Sequence, residues 1–502
     1  MPPPVREREL KLAVAESFML PDLTDDGLGV LEVRELPELD LRSTYHDTAD
    51  LRLARSGVTL RYRTGDDSGP TWTLKLRVEG SDGTERDEHS FPGSPEEVPA
   101  DARRLVAAIA RREPLVPVAS LHTRRQRWLL LADGEAPLAE LADDEVSVLD
   151  GDRVLSRFRE LELESRGPEL KQLRPVADRL RRAGAVLAEP VPKAIRAMGP
   201  RADAQPDVTP LTARPGDPAA DAVKAALAAG TLRLIENDPA TRLGDEEGLH
   251  QMRVATRRLR SDLRTFAALL DQAWADGLSE ELLWLGGLLG SVRDLDVQIA
   301  GLETRAADLA PALTPLFSRL RDRRDAARAE LLAALESERY VDLLDRLVQA
   351  QRDPLVSPPA EMPATEVLPR LLEDPWRKLE RRANALTPDD PDTSYHAVRI
   401  RAKRARYAAE AIAPAVNGSK RVETLAGRAA DLQELLGRIQ DAVVAEQEIV
   451  RVLGQVPRDA KFALAAGRLI ERERGAIAEA RAAFPDTWKR TRRLAAKVVE
   501  KH

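Results

Sequence analysis

At 502 residues the chain is too long for one ordinary core, so two or three domains are expected. Hydrophobic residues at 43% and charged residues at 32% exclude a disordered chain, and no apolar run approaches the roughly 20 residues of a membrane helix. The net charge of −7 argues against a generally basic nucleic-acid binder, the absence of Cys removes disulfides, thiol catalysis and Cys-ligated zinc, and the opening MPPPVREREL lacks the apolar core of a secretory signal, which fits a cytoplasmic address.

Up to about Gly199 the pattern is one of strands. Short alternating runs are separated by turn signals at 64–69 (TGDDSG), 79–84 (EGSDGT) and 132–137 (ADGEAP), with helices expected near 100–112 and 168–184. Alternate residues of a strand face opposite sides. Glu7, Glu9 and Lys11 therefore oppose Leu10 and Leu12, and Arg61 and Arg63 oppose Leu60 and Tyr62. Lys75 and Arg77 oppose Trp72, Leu74, Leu76 and Val78, and Glu160, Glu162 and Glu164 oppose Leu161 and Leu163. A sheet with one solvated face would explain this alternation. A barrel with a charged interior would explain it as well, because buried charges need partners. Carboxylate strands suit hard divalent metals, and Arg and Lys strands suit phosphate oxygens, so a site holding both would take a metal–polyphosphate complex.

The motif order in this region resembles the CYTH family, the triphosphate tunnel metalloenzymes. EREL-K at 7–11 is similar to the family's Glu-x-Glu-x-Lys opening. YHDTADLRLARSGVTLRYRTG (45–65), WTLKLR (72–77), the Arg86 region, AELADDEV (139–146) and FRELELE (158–164) follow in family order. The resemblance covers about residues 5–200 and implies an eight-stranded antiparallel β tunnel that binds triphosphate groups with Mg2+ or Mn2+. It implies metal-side carboxylates at Glu7, Glu9, Glu162 and Glu164, with Asp144 a weaker candidate. It implies phosphate contacts at Lys11, Arg61, Arg63, Lys75, Arg77 and Arg125, with Lys11 nearest the attacked phosphate and Glu7 and Glu9 sharing the catalytic work. The family's Ser-Lys pair is matched here by Pro192-Lys193, so only Lys193 carries over as a phosphate contact.

A stretch rich in Pro, Asp and Gly from Pro200 to Pro218 reads as a linker, giving a first domain over 1–200, a linker over 201–218 and a second domain over 219–502. The second domain is rich in Ala, Leu and Arg, with apolar residues at three- and four-residue spacing, and is expected to be all helical. A break at 352–365 (RDPLVSPPAEMPAT) divides it into halves of about 219–350 and 366–502.

Those halves contain an internal repeat. LHQMRVATRRLRSDLRTF (249–266) aligns with YHAVRIRAKRARYAAEAI (395–412), setting His250 against His396, Arg253 against Arg399, Arg257 against Lys403, Arg258 against Arg404 and Arg260 against Arg406. LLGSVRD (288–294) and LLGRIQD (435–441) follow, each beginning about forty residues after its His, so two copies of one supersecondary unit are expected. At about 100° per residue, His250, Arg253, Arg257 and Arg260 fall within a sector of roughly 80°, joined by Arg264 and opposed by Met252, Ala255, Leu259, Leu263 and Phe266. His396, Arg399, Lys403 and Arg406 repeat the arrangement.

A charged helix face is usually a solvated one, with acids interleaved as i,i+4 partners. Here no Asp or Glu lies between 250 and 260 or between 395 and 409. Like charges stacked in this way repel, which an anionic partner would offset. The histidines are explained equally by a structural hydrogen bond or by phosphate contact, Asp294 and Asp441 are expected to orient basic side chains, and the paired Leu-Leu-Gly is expected to serve close helix packing. With aromatics at 4% and only Tyr407 beside the basic ridges, nucleic acid is not the expected ligand.

Over 219–502 the chain resembles the CHAD family, the conserved-histidine α-helical domains. That resemblance implies two pseudo-symmetric four-helix bundles around a basic groove for inorganic polyphosphate, lined by His250, Arg253, Arg257, Arg260, Arg293, His396, Arg399, Lys403 and Arg406. The second copy departs at Gln440, which stands where the first has Arg293, and at Glu410, which stands where the first has Arg264, so a groove lopsided in charge is expected. The whole is an α+β multidomain chain. Expected activities are hydrolysis of triphosphate or polyphosphate in the tunnel while the helices hold the chain, a non-catalytic polyphosphate-targeting role, or action on nucleotides as a cyclase or a nucleoside or thiamine triphosphatase.

Overall fold

In the computed structural model, which describes residues 5–67, 69–78, 85–133, 137–167, 169–187, 193–455 and 459–499, the chain divides into two compact units, 1–207 and 208–502. The turns expected at 79–84 and across 134–136, and Pro192, lie outside the described residues.

The first unit is built on β1 (Val5–Val14), β2 (Glu32–Asp47), β3 (Thr59–Thr64), β4 (Thr71–Arg77), β5 (Glu85–Phe91), β6 (Val116–Leu131), β7 (Pro137–Asp150), β8 (Arg153–Ser165) and the short β9 (Val186–Leu187). The sheet order is β5-β4-β3-β2-β6-β7-β8-β1-β9, and β1 also pairs with β5, so eight antiparallel strands close into a barrel with β9 as an appendage. Closure explains how β1 is shared. Residues 5–8 pair with β5, and residues 9–14 pair with β8.

The apolar faces point out of the barrel. Leu12, Leu141, Leu161 and Leu163 join Phe18, Leu23, Leu173, Val176 and Leu180 in an external core. The last two lie on α4 (Arg174–Arg182), which begins with Pro175 in its first turn and turns one apolar side to the sheet. Leu60, Trp72 and Leu74 are fully buried as well. The charged faces therefore point inward, which decides between the two readings of the alternation. The helices expected near 100–112 and 168–184 are present as α2 (Ala100–Leu105) with α3 (Ala107–Ala110), and as α4. Two further helices complete the unit. In α1 (Arg52–Arg55) the buried Asp47 accepts from the N–H groups of Thr48, Leu53 and Ala54, which fixes the turn leaving β2. Helix α5 (Lys193–Met198) buries Ala194 against Tyr45, Leu121, Val146 and Val148. Asp207, where the unit ends, accepts from Arg55 at 3.0 Å and from Arg111.

The second unit contains α6 (Ala219–Leu243), α7 (Glu246–Thr265), α8 (Gln272–Arg305), α9 (Thr314–Leu335) and α10 (Glu338–Arg352), then α11 (Ala364–Val367), α12 (Arg370–Asn384), α13 (Asp392–Ile412), α14 (Ser419–Leu453) and α15 (Ala460–Val499). Two four-element runs are visible. Helices α6, α7, α8 and the pair α9–α10 correspond to α12, α13, α14 and the single long α15. The first copy breaks its fourth element where Ser337 caps α10 by accepting from the N–H of Tyr340, while the second continues as one helix of 40 residues. Between α6 and α7, Gly244 takes φ +90°, and the next residue, Asp245, caps α7 by accepting from Gly248. The copies share a core in which Leu295, Ile299 and Leu302 of α8 meet Ala445, Ile449 and Val452 of α14 and Phe462, Ala466 and Leu469 of α15. Helix α7 packs against α13.

Candidate functional site

Every strand of the barrel contributes to the tunnel lining. Glu7, Glu9 and Lys11 come from β1, Tyr45 from β2, Thr59, Arg61 and Arg63 from β3, Lys75 from β4, Arg86 from β5 and Arg125 from β6. Glu140 and Ala142 come from β7, Glu162 and Glu164 from β8, and Lys193 from α5, all around one cavity. Ten of the expected residues thus converge. Two do not reach the cavity. Asp144 is fully buried inside the barrel, covered by Arg125 at 2.7 Å and by Lys193, and Arg77 is exposed at the end of β4 opposite Arg86. Arg86, Tyr45 and Glu140 were not singled out from the sequence as site residues. For Glu140 a signal existed, since it shares the strand face of Asp144 four positions away.

The interior charges are paired. Lys11 Nζ lies 2.6 Å from Glu162 and 3.0 Å from Glu9. Lys75 Nζ spans both oxygens of Glu7 at 2.5 and 2.6 Å, and Arg125 joins Glu162 at 2.6 Å. Burial works against the charge of Lys11, yet Glu162 and Glu9 outweigh it and hold the ammonium well above its usual range. Burial likewise works against the Glu162 carboxylate, and Lys11, Lys193 and Arg125 hold it well below the usual range.

The balance is not uniform. On one side burial, with Arg61 and Arg125 nearby, pushes Arg63 down to about 10. Burial would raise the Tyr45 phenol, but Arg61 and Arg63 together hold it below its usual range. On the other side burial, reinforced by Glu7 and Glu140, pushes Glu164 up to about 7 despite Arg166. Surplus positive charge fits phosphate oxygens, and surplus carboxylate fits a divalent cation. Among the described residues no three His, Asp or Glu side chains converge as a ready-made metal cage. Glu7, Glu9, Glu162 and Glu164 are the carboxylates that could hold a divalent cation there.

In the helical unit the two basic ridges meet. Burial and the adjacent Arg257, Arg399, Arg253 and Arg260 push Lys403 down to about 7, so cations of α7 and α13 crowd one another. Burial, then Arg293, also lowers His250, which leaves it neutral at pH 7. Buried Nε atoms of Arg257, Arg260, Arg293 and Arg399, and Nδ1 of His396, have no hydrogen-bond partner. The Tyr407 ring lies 5.6 Å from each of the guanidiniums of Arg257, Arg258 and Arg406.

The second repeated block acquires a physical role. Arg253 Nη1 donates to the Gly290 carbonyl at 2.9 Å and lies 2.8 Å from Asp294. A Cβ at Gly290 would stand 3.1 Å from that Nη1, and one at Gly437 would stand 3.7 Å from Nε of Arg399. The Leu-Leu-Gly pair is thus a bare strip of helix over which each Arg lies.

A closed antiparallel barrel with a charged interior and an all-helical unit in which two basic helix faces meet define a two-domain architecture. The models of the CYTH domain and the CHAD domain match residues 5–187 and 225–450. Uncharacterized protein Rv2226 of Mycobacterium tuberculosis is 32% identical over 488 residues, covering 90% of each chain. The chain belongs to the family of proteins that join a CYTH domain to a CHAD domain. Among solved structures, PptA from Streptomyces chartreusis is 24% identical, with a TM-score of 0.46, over 54% of this chain and 100% of its own. The CHAD domain from the plant Ricinus communis is 29% identical, with a TM-score of 0.45, over 55% of this chain and 96% of its own. CYTH domains are associated with triphosphatase and cyclase-type activity that depends on divalent metals, and CHAD domains with polyphosphate binding. No helix among the described residues is long and apolar enough to cross a membrane.

Proposed function

We propose that the chain binds inorganic polyphosphate in the basic groove of its helical unit and hydrolyses triphosphate or polyphosphate ends in its tunnel. One observation carries the enzymatic part: the cations and carboxylates of the tunnel neutralise one another across strands, as in Lys75–Glu7 and Lys11–Glu162. An incoming metal–triphosphate brings both complementary charges at once. Arg61, Arg63, Lys75, Arg86 and Arg125 then turn to phosphate oxygens, and Glu7, Glu9, Glu162 and Glu164 face the cation. The bound metal supplies a Lewis acid that polarises a phosphoryl oxygen. Water oxygen bonds to the terminal phosphorus as the bridging P–O bond breaks, and the negative charge developing on the leaving oxygen is met by fixed cations, with Lys11 nearest the attacked phosphate. Asp144, enclosed by Arg125 and Lys193, holds those two in place from beneath them inside the barrel.

Two experiments test the reading. Phosphate release from tripolyphosphate, ATP and thiamine triphosphate is measured with Mg2+ or Mn2+ for the wild type and Glu7→Gln. A tripolyphosphatase lost by about 100-fold or more in the variant is expected, whereas equal rates in both proteins refute catalysis in the tunnel. Binding of long polyphosphate is measured against salt for the wild type and an Arg253/Arg257/Arg399/Lys403→Ala variant. Affinity should fall steeply with salt in the wild type and be largely lost in the variant, and equal binding by both refutes the groove.

A further inference from the structure

The groove has two ends that the pseudo-twofold relation makes equivalent, and they differ in charge. At one end Arg258 reaches Asp262 at 3.2 Å and also Glu410, which in turn holds Arg406 at 2.7 Å. Two guanidiniums therefore meet two carboxylates, and the cluster is closed on itself. The repeat register that matches His250 with His396 also matches Arg258 with Arg404, Asp262 with Ala408, Arg260 with Arg406 and Arg264 with Glu410. The equivalent cluster at the other end is thus Arg404, Ala408, Arg260 and Arg264: three guanidiniums and no carboxylate.

Arg264 acts on both of the others in the fold. Burial and then Arg264 lower Arg260, and burial followed by Arg264 and Arg401 lowers Arg404. Nε of Arg260 is buried without a partner. Among the described residues none of the three forms an ion pair, although at the other end the same positions are fully paired.

We propose that Arg260, Arg264 and Arg404 form a phosphate site that continues the groove at this end only, so that a bound polyphosphate runs out over Arg264 and stops at Glu410. Glu410 occupies, from within the chain, the place that a phosphate takes at the opposite end. Guanidinium forks suit the purpose because each can give two parallel N–H donors to one phosphate. The inference rests on the polyphosphate reading of the groove and adds a direction to it.

The test uses the full chain and long polyphosphate over a series of salt concentrations. Arg264→Glu places at the open end the carboxylate that the closed end already has, and the substituted side chain is exposed. It should pair with Arg260 and Arg404, leave the thermal midpoint unchanged or raised, weaken binding about tenfold or more, and reduce the salt slope by about two to three contacts. Glu410→Gln frees Arg406, leaves Arg258 with Asp262 alone, and should tighten binding. If the wild type binds while Arg264→Glu matches it in affinity and slope, the site is refuted and the groove stands. A loss on Glu410→Gln as large as that of Arg264→Glu refutes the asymmetry. Failure of the wild type to bind long polyphosphate overturns both the inference and the reading beneath it.

Discussion

Lys403→Met should make the protein more stable and a poorer polyphosphate binder. In the fold the ammonium is pushed from 10.5 to about 7, first by burial and then by Arg257, Arg399, Arg253 and Arg260. A difference of about 3.5 pH units at about 1.36 kcal/mol each sets an upper bound of about 5 kcal/mol on the cost of keeping it charged. Counterions and side-chain relaxation in an open groove reduce this, so a gain of about 1–2 kcal/mol, or a few degrees in Tm, is expected from the variant at pH 7. The sign follows from proton linkage. Below about pH 7 the amine is protonated in both folded and unfolded chains, and the cost is present in full. Between about 7 and 10.5 the unfolded chain binds the proton that the folded chain has released, so wild-type stability rises with pH through that window relative to Lys403→Met. Binding runs the other way. Phosphate favours the ammonium, so binding takes up a proton and affinity falls as pH rises above about 7. Lys403→Arg keeps its charge and should lose the pH dependence while retaining affinity. Thermal unfolding at pH 7 and 9, with calorimetric titration in buffers of different ionisation enthalpy, reads all of this. A Met variant that unfolds at or below the wild-type temperature at pH 7, or binding without proton uptake, would refute the reasoning.

Gly290→Ala should weaken polyphosphate binding without unfolding the unit, because the added methyl makes the Arg253 guanidinium give by a few tenths of an ångström over the Gly290 carbonyl; equal affinity in the two proteins would remove the positioning role. Tyr340→Phe should cost about 1–3 kcal/mol in denaturant unfolding, since Tyr340 donates at 2.8 Å to the fully buried Asp238. Leu259→Ala should cost about 2–5 kcal/mol, because Leu259 is fully buried on the apolar side of α7; a loss below about 1 kcal/mol would mean the helix does not depend on that face.

Much of the tunnel was legible in short stretches of chain. Two-residue alternation put Glu7, Glu9 and Lys11 on one side of β1 and Leu10 and Leu12 on the other, and the motif order pointed to the CYTH family. Alternation cannot say which side is inside. The pairing of β1 with β5 closes the sheet and decides it, bringing Glu7 to Lys75 across 68 positions. Closure also explains the residues that moved in and out of the site. Glu140 and Arg86 enter because their strands bring the same face to the cavity, while Asp144, on the same face as Glu140, is covered by Arg125 and Lys193.

In the helical half, sequence alone determined that two helices are copies, that each carries an acid-free basic ridge, and that the copies differ at Arg264 and Glu410. These are properties of spacing within one helix, where about 3.6 residues per turn decides which side chains share a face. Only the tertiary structure decided that α7 and α13 pack together, so that the cations of the two ridges crowd and depress Lys403. It also decided that Glu410 of one copy reaches Arg258 of the other. Such contacts join residues more than a hundred positions apart, and no local periodicity contains them.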